Sequence, residues 1–439
     1  GNTDEAQNLI DKSSAKMSGL LEADMAQARI YASQGQLQKS LVLLEEILER
    51  SPELSGAWRL KGDILLRQGK LELARDALDQ SIALSENAFA DRMKRALINV
   101  LLGQYDAAQA DADVLLAEAP QHPGSNYVQG LLHFRRGKYP EAITALYLAV
   151  PASQQFPLVP YYLGSAHLLE GQLDEAAEFA GRFHDYDPRH INGRKLLAAI
   201  RLMQGNYSEV QALLQPVLDN NPQDIAALNL MANAQIRDGK AEQAIELFER
   251  IADLQPDSPV AQIRLGASLL MAGKGKAAEQ HIEAAMELDP EYQQAEILRV
   301  MTLVKKGDID AAVEAAEAYR RRNPVSVTPL HLLGRVYLTD NQPEKARASF
   351  EKALSLDPAD IAANHYLAQM AASQDDLSTA RKHYEAILVK NPNSMTALLE
   401  LAELDEKEQR EQAMLGRLEQ AMNAHPTALK PRLMLGRFY

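Results

Sequence analysis

The chain has 439 residues, 46% hydrophobic and 5% aromatic, with 60 Asp+Glu against 46 Lys+Arg and a formal charge of −14. That balance argues against a nucleic-acid partner, which needs a basic stripe to neutralise phosphates, and reads instead as solubility and mutual repulsion. The absence of cysteine excludes disulfides and thiolate metal sites and favours an oxidising compartment, and no apolar run approaches the roughly 20 residues of a membrane span.

Residues 1–20 fit no repeat, although Asp4 to Met17 reads as one polar helix that would cover the first repeat. From Leu21 onward the chain keeps a period of 34 residues through twelve repeats, to residue 428. Fifteen positions into each repeat stands a turn residue, from Gly35, Gly69 and Gly103 down to Asn341, Asp375 and Gln409; nine of the twelve are Gly. Seventeen residues after each turn stands a proline, from Pro52 to Pro426, with Glu86 and Gln154 as the two exceptions. Glycine takes the positive φ that ends a helix and reverses the chain. Proline cannot continue a helix interior, because it lacks the N–H and clashes with the preceding turn. Each repeat is therefore predicted to be two helices of about a dozen residues, and no strand is expected.

The columns of the repeat say how the helices pack. The eighth column is Ala or Gly in every repeat except the ninth, where it is Val300, and the twentieth is mostly Ala. The twenty-fourth supplies a larger plug, such as Leu78, Leu146, Phe350 and Tyr384. Small residues in facing columns let two backbones approach closely, and a larger side chain there would overpack the contact.

Local irregularities come next in chain order. Pro151, Pro157 and Pro160 are expected to bend the stack near residue 155, and Pro216 to kink its helix or lie near its break. Histidines pair by column (His133 with His167, His331 with His365), but side chains one repeat apart stand about 10 Å from each other, too far to share a metal; they read as packing or groove-lining. Gly273, Gly275 and Ala278 imitate a dinucleotide fingerprint without its preceding strand and read as the turn of repeat eight. Lys305, Lys306 and Arg320 to Arg322 read as helix C-termini complementing the dipole. The acidic run Glu400, Glu403, Asp405, Glu406 and Glu408 reads as a wet face. No nucleophile with a recognisable base appears, so no catalytic residue, cofactor or metal is expected. Leu429 to Tyr439 matches the first helix of a thirteenth repeat, and the pattern predicts further repeats beyond it.

The run Leu330, Leu333, Gly334, Tyr337, Ala346, Phe350, Ala353, Pro358, with Trp58 and Gly62 in repeat two, resembles the tetratricopeptide repeat (TPR) signature. The resemblance covers residues 21–428 and implies an all-α solenoid, a right-handed superhelix whose first helices line a concave face through columns two, five, nine, twelve and thirteen. Two stretches of that implied groove are more apolar than a wet surface requires: Met93, Leu97, Leu101, Tyr127, Leu131, Tyr161 and Leu169, and then Ile263, Met271, Ile297 and Met301. They are the candidate sites for a protein or peptide partner, the alternative being that packing between repeats buries them. The carboxylate clamp of chaperone-binding TPR domains is absent, because Lys195 is followed by Ala199 where that clamp needs Asn.

The wording of the later repeats, Phe350 to Leu388, resembles the long TPR lipoproteins encoded with PEP-CTERM/exosortase exopolysaccharide loci. That resemblance implies a periplasmic scaffold for envelope or exopolysaccharide export, anchored by a lipid upstream of Gly1 to the inner or outer membrane. A cytoplasmic adaptor for protein partners and the substrate-recruiting arm of a larger enzyme, such as a glycosyltransferase, remain alternatives.

Overall fold

The computed structural model describes residues 21–426 and 428–438, so the polar helix expected over Asp4 to Met17 lies outside the described residues. Among those described, the secondary structure is helical throughout, without a strand. The chain forms two compact bodies, one through Arg237 and one from Asp238. In each, helices of 11 to 14 residues alternate in the predicted phase, from Leu21–Ser33 and Leu37–Arg50 to Met395–Lys407 and Glu411–Ala424. A shorter helix, Lys430–Phe438, comes last and packs Met434, Leu435 and Phe438 on Leu399, Ala402, Met414 and Leu418.

All twelve turn positions take positive φ, including the non-glycines Asn341 (55°), Asp375 (57°) and Gln409 (59°). The left-handed residue lets the next N–H reach back five residues: Gln36 donates to the Tyr31 carbonyl at 2.8 Å and Gln342 to that of Tyr337 at 2.8 Å. That bond satisfies a carbonyl orphaned by the end of the first helix. At the other end of the hairpin the residue before proline leaves the helical region, as at Ser51 (φ −144°, ψ 77°) and Asp187 (φ −132°, ψ 81°).

The small columns do what their size implies. A Cβ added at Gly62 would lie 3.0 Å from the Leu78 side chain, and one at Gly130 would lie 2.6 Å from that of Leu146. At Gly334 the Phe350 ring already fills the space. The facing Ala74, Ala142 and Ala346 are fully buried. Many first helices also pack on the next first helix of their body, as Ile191–Met203 does on Ile225–Arg237 and Pro259–Met271 on Gln293–Lys306, with the second helix between them. The core is thus a chain of local clusters, each spanning a few repeats, rather than one centre.

Two irregularities take definite form. Around the three prolines the second helix of repeat four stops at Ala149, a 3-10 turn covers Val150–Ala152, and the next helix starts at Val159. Pro216 does not end its helix, which runs from Tyr207 to Asn220. It sits on the exposed face, where the carbonyl it orphans can meet water, while Leu213, Leu214, Val217 and Leu218 hold the buried face in place.

These observations fix the sign of three substitutions. Gly334→Ala is expected to lower stability by about 1–3 kcal/mol through the Phe350 contact. Gln409→Gly should raise it by about 1 kcal/mol by removing left-handed strain, and Gly307→Ala should lower it by a similar amount. Urea denaturation followed by circular dichroism measures all three. An unchanged midpoint in Gly334→Ala would mean that the close approach is not required.

Candidate partner groove

The apolar positions expected to face a partner divide by burial. In the N-terminal body Leu101 and Leu169 are exposed, Met93, Leu97 and Tyr161 are half-buried, and Tyr127 and Leu131 are buried, each 6% exposed. The expectation of a continuous apolar surface fails there for a packing reason. The Tyr127 ring lies 5.0 Å from that of Phe156, a residue placed by the proline-rich turn, and burial raises the Tyr127 pKa. Tyr161 is likewise walled by Tyr162 and Phe183, both with ring centres at 5.4 Å. Leu101 and Leu169 are left as isolated exposed side chains, which a soluble surface tolerates.

In the C-terminal body Ile263 is buried and Ile297 half-buried, but Met271 and Met301 remain 64% and 41% exposed. They line one open cavity of about 520 Å³. Its walls come from the first helices of four successive repeats: Pro259–Met271, Gln293–Lys306, Thr328–Thr339 and Ile361–Ser373. Leu270, Val304 and Leu338 complete the apolar wall, and Tyr366 stands at its far side, stacked on Phe350 at 4.7 Å. Leu270, Val304 and Leu338 escaped the site prediction, although they occupy the twelfth column of consecutive repeats and the 34-residue period marks them. Lys305 and Arg335 also line the cavity, and no carboxylate does.

Most polar side chains that drew notice in the sequence serve packing. Lys195 donates to Asp224 at 2.9 Å, and Asp224 accepts the Ala227 N–H at 2.9 Å at the start of the next helix. Burial would raise the Asp224 pKa, but these hydrogen bonds hold it below the usual carboxylate range. His331 and Asp360 repeat the arrangement at the same two columns, 2.9 Å apart. Three of the five basic residues noted in repeat nine are paired with carboxylates: Lys306 with Glu279, Arg320 with Glu317, and Arg322 with the buried Glu296. The acidic run corrects the sequence reading at one position. Asp405 is fully buried between Arg381 (2.7 Å) and Arg417 (2.8 Å), because its partners arrive from neighbouring second helices.

His133 bonds Gln129, while the buried His167 bonds Tyr147 and Gln172. Among the described residues no group of three His, Asp or Glu could hold a metal ion, and no helix is long and apolar enough to cross a membrane.

The Asp224 cap carries a pH signature. Its native pKa is depressed, so its contribution is present above the unfolded value of about 3.9 and is lost as pH falls through the native one. Asp224→Ala should cost about 0.5–2 kcal/mol at neutral pH. The gap between wild type and variant, read from urea midpoints, should narrow from about pH 5 to about pH 3. A gap that stays constant with pH would remove the carboxylate from the account.

Models of one family, described as Tetratricopeptide repeat, match residues 25–89, 94–160, 167–234, 235–285, 297–361 and 331–395. No curated protein matches the sequence. Among solved structures the chain is similar to yeast Tom70 (14% identity, 88% of this chain and 94% of that one, TM-score 0.48). It is also similar to a chain of the APC/C hetero-tetramer Cut9-Hcn1 (14% identity, 97% and 91%, TM-score 0.35) and to MamA from MSR-1 (24% identity, 38% and 97%, TM-score 0.36). With left-handed turns in phase, small facing columns and family matches across most of its length, the chain belongs to the tetratricopeptide repeat family.

Proposed function

We propose that this chain is a non-catalytic scaffold of the cell envelope that holds protein partners on the face formed by its first helices. The observation that carries the reading is the open apolar cavity on four consecutive first helices, where Met271 and Met301 stay exposed. Apolar surface left open beside packed repeats is costly in water and marks an interaction site. Methionine, unbranched and polarizable, suits surfaces that accommodate side chains of varied shape.

The periplasmic location, the upstream lipid anchor and the service to exopolysaccharide or envelope export rest on the repeat wording of Phe350 to Leu388. The cysteine-free composition supports the same compartment. The non-catalytic reading follows from a cavity wall that is mostly apolar and carries no histidine or carboxylate to serve as a base.

Two experiments test this. In the native host the protein is expected in the periplasmic fraction, accessible to protease once the outer membrane is opened; recovery in the cytosol would overturn the envelope reading. In vivo crosslinking should capture a defined partner set with wild type. Met271→Asp/Met301→Asp should reduce that set by about tenfold, as loss of well-buried interface anchors does, with an unchanged melting curve. Equal capture would remove the groove.

A further inference from the structure

The cavity carries a polarity that its apolar lining does not require. In a chain with 60 Asp+Glu against 46 Lys+Arg, the two charged residues that line it are both cations. Two other basic side chains of repeat nine are neutralised by carboxylates, Lys306 by Glu279 and Arg322 by Glu296. Lys305 instead donates to the Leu270 carbonyl at 2.6 Å, which holds its ammonium at the cavity wall without cancelling its charge. Arg335 is exposed and makes no ion pair or side-chain hydrogen bond among the described residues. A guanidinium in that position is free to meet a carboxylate from outside with two parallel hydrogen bonds.

Resting on the groove as a partner site, we infer that the cavity takes an acidic amphipathic segment of a protein partner. Apolar side chains one helical turn apart enter between Met271, Met301 and Leu338, and a flanking carboxylate meets Arg335. The volume, about 520 Å³, lies within the range of ligand-binding pockets, about 300–1,000 Å³, and admits more than one side chain. Lys305 adds a second positive charge on the adjacent helix, whose axis is about 10 Å away. The methionines accept many apolar shapes, so charge does the sorting: a basic segment meets two like charges at the wall, and an acidic one meets two opposite charges.

The test uses the full chain and two labelled synthetic peptides of about 15 residues, near the shortest length for an isolated helix. Both carry leucines one turn apart, flanked by Glu in one and by Lys in the other. Fluorescence anisotropy should show the Glu peptide binding at least about tenfold tighter at low salt, with the difference shrinking at high salt. Arg335→Glu should reverse the preference, and Arg335→Lys should keep part of it; both variants should melt like wild type, since the side chain is exposed. Equal binding of the two peptides, or a preference untouched by Arg335→Glu, overturns the inference. So does binding of dodecanoate with neither peptide bound, which would make the cavity an acyl-carboxylate site. If neither peptide binds while crosslinked capture still depends on Met271 and Met301, the groove stands and the acidic partner falls.

Discussion

The distance between the two helices of each hairpin governs the rest of the structure, and it is set at one contact. Column eight carries Gly or Ala, and the plug from column twenty-four reaches into the space a larger side chain would need, as with Leu146 at Gly130 and Phe350 at Gly334. A plug that enters the footprint of the first helix also fixes the rotation of that helix. Rotation then decides which columns face the second helix and which face outward, so the groove depends on a contact on the opposite side of the same helix. Repeat nine inverts the sizes, with Val300 in column eight and Ala316 in column twenty-four, both buried. Val300 is also one of the side chains lining the cavity.

Buried carboxylates add a second constraint. Asp91 accepts from Arg59 at 2.8 and 2.9 Å and from Ser81 at 2.7 Å; Asp111 is held by Arg95, which also reaches Asp79. Asp405 lies between Arg381 and Arg417. Each cluster joins side chains of two successive repeats. Breaking a buried pair leaves an uncompensated charge at roughly 3–5 kcal/mol, so a hairpin that slipped against its neighbour would lose far more than apolar contact. Repeats with nearly interchangeable apolar columns gain a specific register in this way. The arginines that hold these carboxylates are spent on register, whereas Arg335 stands exposed beside apolar surface with no carboxylate of its own.

The fold was legible because every structural decision recurs every 34 residues. Glycine at nine turns predicts what Asn341, Asp375 and Gln409 must also do, and all three adopt the left-handed turn. The groove was only partly legible, because burial of a groove column depends on side chains from other helices. Tyr127 and Leu101 occupy similar outward columns, yet Phe156 covers one and leaves the other 59% exposed. Asp405 sits in an acidic run that reads as wet, and its two arginines lie on other helices, 24 residues before it and 12 after it. Column alone does not decide exposure either: Met301 is 41% exposed, whereas Leu131, five repeats earlier in the same column, is buried.

Apart from Val300, which serves both, the columns eight, twenty and twenty-four that hold the hairpin are separate from the outward columns that face a partner, and this separation lets one scaffold change its ligand. Positions eight, twenty and twenty-four are buried and size-restricted, whereas nine, twelve and thirteen contribute Met301, Arg335, Leu338, Met271 and Lys305 to the cavity wall. Each first helix offers only a few side chains to that wall, too few for an anchor of its own. A partner gains affinity by lying across several helices whose axes are spaced about 10 Å apart, so recognition is a sum over repeats. Substituting one rim residue in such a site changes preference more than it changes the fold, because the contact that positions the helix lies on its other face.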